Sequence, residues 1–324
     1  MISLGIECTA HTLSIGISKD GTILSNVIDT YFGGGEGLIP RKLADHHSEC
    51  FSRVLIESLN KAKLSMTDID IISFSQGPGI GAPLSVGISA AKYLALVYNK
   101  KLIGVNHPYA HVKIGEHYCN TNHPLILYLS GGNSQILSEY SFGNYDVLGE
   151  TLDIGIGNLF DTFARSIKMK NAHGAALAKL ADGGKYIDLP YTVKGMHLVF
   201  SGLLTSAERA TSNNPHNDVA YSLMETAFAM TCEVTERALF LTKKKNLLVC
   251  GGVAQNKRLQ EMLGMMCKED KVKFSVAPDE FNRDNGAMIA YAGELLYKKY
   301  GAMDIEKCNP ITNYRINRMT EIFG

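Results

Sequence analysis

Three apolar runs in this chain, Ile69-Asp70-Ile71-Ile72-Ser73-Phe74-Ser75, Pro124 to Leu129 and Asn246-Leu247-Leu248-Val249-Cys250, each end at glycine: Gln76-Gly77-Pro78-Gly79-Ile80-Gly81, Gly131-Gly132 and Gly251-Gly252. Short apolar runs of this kind read as buried strands. Glycine just after a strand lets the chain turn sharply and lets another group approach the backbone closely. The amino-terminal segment alternates through Ile2-Ser3-Leu4-Gly5-Ile6-Glu7 and Leu13-Ser14-Ile15-Gly16-Ile17, then turns at Asp20-Gly21 into Thr22 to Ile28, which predicts a hairpin meander. The second glycine turn also leads into a strand, Ser134 to Leu137. Helical stretches are predicted over about 39–63, from the Gly81 loop through Ala91, up to about Lys185, from near Asn256, and from about Asn285 to Tyr300. Two βαβ-like halves, each opening with a hairpin and a glycine turn, predict a duplicated α/β architecture. The expected division is residues 1–110 with 290–324 as one lobe and 111–289 as the other, with a nucleotide cleft between them.

A chain of 324 residues with 45% hydrophobic and 20% charged residues has ample core for one large or two medium domains. Lys+Arg and Asp+Glu both total 32, so global charge excludes nonspecific attraction to nucleic acid, and any such contact needs a local patch or a basic partner. The longest basic run, Lys243-Lys244-Lys245, reads as a solvated helix end. The seven cysteines stand singly, with no Cys-x-x-Cys spacing, which fits a reducing cytoplasm. Met1 enters strand-like sequence at once and no apolar stretch approaches the ~20 residues of a membrane span, so neither secretion nor membrane insertion is expected.

Asn106-His107-Pro108-Tyr109-Ala110-His111 sets two histidines one helical turn apart, with Asn106 or His107 available as a cap and Pro108 in the first turn. Both imidazoles then face one way and can share a cation, although packing or a solvent face produces the same spacing. A zincin would need Glu directly after the first His, and Pro108 stands there, so metalloprotease chemistry is disfavoured. Ser130-Gly131-Gly132-Asn133-Ser134 reads equally as a phosphate loop or a tight hairpin. The turn from Gly251 to Arg258 follows an apolar strand and opens a helix. Asp284 just before a helix reads first as an ordinary N-cap, which leaves an oxygen for a metal. Asp161 stands four residues before Arg165, a spacing that suits a surface pair or a sugar-binding carboxylate. His46, His47, His117 and His197 gain no partner from spacing and default to structural or surface roles.

Taken together, Leu4 to Glu7 with Thr9 to Thr12, Ser75 to Gly79, Gly104 to His107 with Ala110-His111, Tyr128 to Gln135, Gly149 to Asn158, Phe200 to Leu203, Gly251 to Leu259 and Asp284 to Ala292 resemble one family almost end to end. It is the catalytic subunit family of tRNA threonylcarbamoyladenosine transferases in its archaeal and eukaryotic, KEOPS-type form, formerly called O-sialoglycoprotein endopeptidases. The resemblance implies the two-lobed fold of actin, sugar kinases and heat-shock ATPases. It implies one metal ion, iron or zinc, held by His107, His111, Tyr128 and Asp284. An adenylate, or ATP, would lie on Tyr128, Leu129, Ser130, Gly131, Gly132 and Asn133, with Asp161 at the ribose, Gly174 at the nucleotide wall, and Gly251, Gly252 and Asn256 on the adenine side. No catalytic residue beyond the metal site is implied. Where the family reads Pro-Gly-Gly-Pro followed by a ribose-binding Glu, this chain has Ala172-His173-Gly174-Ala175 and then Ala178, so one ribose carboxylate is missing.

The expected activity is transfer of the threonylcarbamoyl group from threonylcarbamoyl-AMP to N6 of the adenosine 3′ of the anticodon in tRNAs reading codons that begin with A. The family's partners are tRNA, a kinase-like ATPase, a small dimerising subunit and an accessory subunit. No Ser or Cys nucleophile with an obvious base is present, so direct attack by the nucleobase is expected. The alternatives are a small-molecule kinase of the same fold, which would want an Asp where Glu7 stands, and a non-catalytic nucleotide-binding scaffold.

Overall fold

The computed structural model describes residues 1–33 and 37–323. They form two compact units, Met1–Ile114 with Arg283–Gly324, and Gly115–Asn282. Residues 111–114 and 283–289, placed in the second lobe by the sequence reading, belong to the first unit.

In the first unit, β1 (Ile2–Glu7), β2 (Thr12–Lys19) and β3 (Thr22–Thr30) make the predicted antiparallel meander. Helix α1 (Pro40–Ala62) leads to β4 (Ile71–Gly77), parallel to β1, and α2 (Gly81–Tyr98) leads to β5 (Lys101–Asn106), parallel to β4. The sheet order is β3-β2-β1-β4-β5. Helix α3 (His107–Cys119) follows β5 directly. The second unit repeats the plan: β6 (Leu125–Leu129), β7 (Ser134–Ser141) and β8 (Asn144–Glu150) form a meander. Then come α4 (Ile156–Ser166), α5 (Gly174–Ala181), the short hairpin β9 (Val193–Lys194) and β10 (His197–Leu198), α6 (Ser201–Ala210) and α7 (His216–Thr242). Strand β11 (Asn246–Cys250) lies parallel to β6, and after α8 (Lys257–Glu269) β12 (Lys273–Val276) lies parallel to β11. Read outward from its meander, this sheet runs β8-β7-β6-β11-β12, the same topology as the first. The expected duplicated α/β architecture is therefore present at the level of strand order.

Helix α9 (Asp279–Asn282) closes the second unit, and α10 (Gly286–Tyr300) belongs to the first. Small residues let α10 lie directly on the sheet: a Cβ at Gly5 would stand 2.2 Å from the Ala290 nitrogen, and one at Gly16 2.3 Å from the Ala287 nitrogen. Side chains there would push the helix off and open the core beneath it. Helix α7 is buried along much of its length through Leu223, Ala227, Phe228, Met230 and Val234, which pack with Phe160 and Phe163. Each such fully buried large side chain contributes about 1.5–3 kcal/mol, so α7 is the spine of its unit.

Candidate metal centre and nucleotide turns

Strand β5 delivers Asn106 to the start of α3, where its Oδ1 accepts from the Tyr109 N–H at 3.1 Å, so Asn106 is the cap and His107 opens the helix. His111 follows one turn later, and the two rings stand edge to face with centroids 4.8 Å apart. Helix α10 supplies the third group. Its N-cap is Asn285, whose side chain accepts from Met288 N at 2.9 Å, and the Gly286 N–H donates to Ser14 Oγ at 2.8 Å. The N-cap role read for Asp284 is therefore corrected: the neighbouring residue caps, and the Asp284 carboxylate faces the histidines. Its Oδ1 lies 3.3 Å from His107 Nε2 and 3.4 Å from His111 Nε2. The three residues form a group able to hold a metal ion.

Behind them lies a carboxylate that spacing did not single out as a partner. Glu7, fully buried at the end of β1, accepts from His107 Nδ1 at 2.9 Å through Oε2, while its Oε1 accepts from the Thr9 N–H at 2.7 Å and the Thr9 hydroxyl at 2.5 Å. A carboxylate on the outer nitrogen fixes the ring and leaves Nε2 to face the site. In the metal-free chain burial works against charge on His107, but Glu7 and Asp284 outweigh it and push the imidazole up to about 10. Burial, together with the charge on His107, lowers His111. Burial would raise Asp284, yet the His107 charge beside it holds the carboxyl well below its usual range. The resting cluster thus carries one imidazolium, one neutral imidazole and an anionic Asp284. Two nitrogens and an oxygen within one ion's reach, with an anchored outer nitrogen, fit a borderline divalent metal.

Tyr128, the fourth ligand implied by resemblance, belongs to the second unit, near the end of β6, where a Cβ on Gly251 would come within 3.2 Å of its ring. Leu129 ends the same strand, fully buried. The turn from Ser130 to Asn133 is closed by Ser130 N–H donating to the Asn133 carbonyl at 2.8 Å and Asn133 N–H donating to Ser130 Oγ at 3.0 Å. It rests on the first turn of α4, whose Asn158 N–H donates to the Gly131 carbonyl at 2.9 Å. Glycines here sort into two kinds. Gly155 and Gly157 are forced, because Cβ atoms on them would meet Gly131 at 2.4 and 2.7 Å, and Gly251 has φ +94° with Leu129 O only 2.4 Å from a Cβ. At Gly132 and Gly252 a Cβ would meet nothing within 4 Å, so no neighbour in the chain requires glycine there. Close approach of a ligand to the backbone would.

Asp161 lies on α4 and its Oδ1 accepts from the Gly174 N–H at 2.8 Å, tying this carboxylate to the start of α5. Arg165, the alternative partner read from spacing, donates to Thr162 Oγ1 at 2.8 Å. His173 occupies the departed Pro-Gly-Gly-Pro segment as the α5 N-cap, accepting from Ala176 N at 3.3 Å, and Ala178 packs against the core of the unit. Asn256 caps α8, its Oδ1 accepting from Leu259 N at 3.1 Å. Asn282, to which sequence gave no role, is fully buried and braces the Gly251 turn: its Oδ1 accepts from Gly251 N at 3.2 Å and its Nδ2 donates to the Ala277 carbonyl at 2.6 Å. Among the described residues no helix is long and apolar enough to cross a membrane.

Residues 22–291 match the family model for tRNA N6-adenosine threonylcarbamoyltransferase. A relative of that name from Thermococcus sibiricus is 48% identical over 322 residues, 98% of this chain and 99% of the relative. One from Thermococcus kodakarensis is 49% identical over 301 residues, 92% of each chain. A probable bifunctional tRNA threonylcarbamoyladenosine biosynthesis protein of Methanocaldococcus jannaschii is 45% identical over 332 residues, and the chain spans 62% of its length. Among solved structures, HypF of T. kodakarensis superposes with a TM-score of 0.65 at 16% identity, over 92% of this chain and 48% of that one. A ROK-family glucokinase from Streptomyces griseus does so with a TM-score of 0.51 at 12% identity, over 91% and 99%. These two likenesses concern the fold, a sugar-kinase-like one as expected.

Proposed function

Because this chain belongs to the tRNA N6-adenosine threonylcarbamoyltransferase family, we propose that it transfers the threonylcarbamoyl group of threonylcarbamoyl-AMP to N6 of the adenosine 3′ of the anticodon, in tRNAs reading codons that begin with A. The bond from N6 to the carbonyl carbon forms, the bond from that carbon to the phosphate oxygen breaks, N6 gives up one proton to solvent, and AMP leaves with the electron pair. The observation that carries this reading is the convergence of His107, His111 and Asp284, anchored from behind by Glu7.

His107, His111 and Asp284, with Tyr128 by resemblance, would hold one ion, iron or zinc. When bound, such an ion supplies a Lewis acid for the acyl carbonyl. The chain's own residues do the rest. Glu7 keeps the His107 ring from turning. Asn285 takes the capping duty and so leaves the Asp284 carboxylate to the cluster. The Gly131 and Gly132 backbone, open to approach, offers amide donors to the phosphate as it takes up charge on leaving. Asp161, bound to Gly174 N, lines the ribose wall, where Ala178 gives no second carboxylate. ATP is a second nucleotide for the same turns.

A formal charge of zero gives this subunit little hold on tRNA by itself. We infer that it works in the cytoplasm with the KEOPS partners: the small dimerising subunit, the kinase-like ATPase and the accessory subunit. Incubating the purified chain with those partners, tRNA, threonylcarbamoyl-AMP and metal, then digesting the tRNA for mass spectrometry, should reveal threonylcarbamoyladenosine. Its absence with active partners would refute the activity.

A further inference from the structure

A second group of metal-capable side chains lies in the first unit, outside the residues used above: Asp29, His46 and Cys50 place ligand atoms within 4.8 Å of one another, and His47 joins them. His46 and Cys50 sit one turn apart on α1, and Asp29 lies on β3. The hydrogen bonds fix the ring states. His47 Nε2 lies 3.1 Å from the Ala10 carbonyl, which can only accept, so that nitrogen carries the proton. His46 Nε2 likewise lies 2.8 Å from the Asp29 carboxylate. Each ring, when neutral, then presents an unprotonated Nδ1, yet the two Nδ1 atoms face each other at 3.0 Å. Two lone pairs so placed repel unless a cation lies on them. Cys50 Sγ lies 3.9 Å from His46 Nδ1.

We propose that His46 Nδ1, His47 Nδ1 and Cys50 Sγ form a second metal site, for zinc or a similar borderline divalent ion, with Asp29 as the outer carboxylate on His46. With Zn–N near 2.0–2.1 Å, two nitrogens 3.0 Å apart subtend about 95° at the ion. The 3.9 Å sulfur–nitrogen separation lies inside the ~4.4 Å that one zinc can span. Outer nitrogens held by a carboxylate and a backbone carbonyl are how metal-binding imidazoles are oriented. Asp29 is itself fixed by Arg53, which donates to its other oxygen. His47 is fully buried, so packing and the Ala10 carbonyl together hold its ring in this orientation. The His46 side chain is 21% exposed, which gives the ion a way in and a water for the fourth position. On binding, the Cys50 thiol gives up its proton to solvent.

Cobalt(II) titration of the chelator-treated His107→Ala/His111→Ala chain tests this, since the first cluster is then removed. One equivalent should bind with a thiolate-to-cobalt charge-transfer band; Cys50→Ser should abolish the band while the thermal melt shows a folded chain. Asp29→Asn should weaken binding about 10–100-fold. If the double variant does not fold, the wild-type chain should take two equivalents, and Cys50→Ser should remove the one that carries the band. No cobalt uptake, uptake without the band, or a band that survives Cys50→Ser overturns the proposal. So does ¹⁵N NMR showing a proton held between His46 and His47 in excess zinc.

Discussion

Glu7→Gln removes one negative charge and almost no volume from behind His107. Glutamine can still accept from Thr9 through its carbonyl, but its amide group then stands where Oε2 accepted from His107 Nδ1 at 2.9 Å, donor against donor. The ring loses the partner that fixes both its angle and its protonated nitrogen. Loss of such an outer partner costs about 10–100-fold in metal affinity, or about 1.4–2.8 kcal/mol. The metal-free chain supplies an independent readout. His107 is raised from 6.5 to about 10, so the stability it contributes is complete below pH 6.5 and is lost as pH rises through about 10. Urea denaturation of chelator-treated protein should therefore show stability falling across that window in the wild type and falling much less in Glu7→Gln. Calorimetric titration with zinc gives the affinities. Wild-type affinity together with an unchanged pH slope in Glu7→Gln would refute the anchoring role of Glu7.

Gly132→Ala, whose Cβ meets nothing, should alter stability by less than about 0.5 kcal/mol yet raise KM for the adenylate severalfold. Gly251→Ala, at φ +94° with Leu129 O 2.4 Å from the new carbon, should cost about 2–4 kcal/mol in a chemical melt. Asn285→Ala should lower stability by about 1 kcal/mol through loss of the α10 cap and weaken metal binding with it, since Asp284 sits on the same turn. His47, lowered to about 4, favours its neutral form in the fold, so the metal-free chain should lose stability as pH falls from 6.5 toward 4, and His47→Gln should flatten that slope in acid-range melts.

The first meander, the β6–β7 hairpin and the parallel strands β4 and β11 were legible because their alternation and apolar runs are local signals, and the glycine ends marked the turns. The strand read as Ile69–Ser75 lies two residues further on, at Ile71–Gly77, because Asp70 is used at its start to bind the Ile2 backbone. Of helix α7 only the solvated end at Lys243 was read: apolar residues surround much of the rest, so it lacks the one-sided stripe that reveals a helix. Strand β12 has only four partly exposed residues and β8 mixes exposed and buried positions without regular alternation, so both leave little pattern; β5 went unread as well. At the metal centre, spacing could pair His107 with His111 but could not bring Glu7 to them from a hundred residues away. A charge closing an otherwise buried strand was the available signal, since a fully buried carboxylate demands a partner. The choice of Asn285 over Asp284 as cap was likewise invisible, because adjacent cap-forming residues look equivalent until the helix start is fixed.

The central claim is that His107, His111 and Asp284 hold a metal on which transfer to tRNA depends. Bound metal and threonylcarbamoyladenosine formation should be measured on the same samples of wild-type and Asp284→Ala protein with the partner subunits present. Metal content and modification should fall together in the variant, with its fold intact by melting. Full modification by a metal-free Asp284→Ala chain would contradict the account.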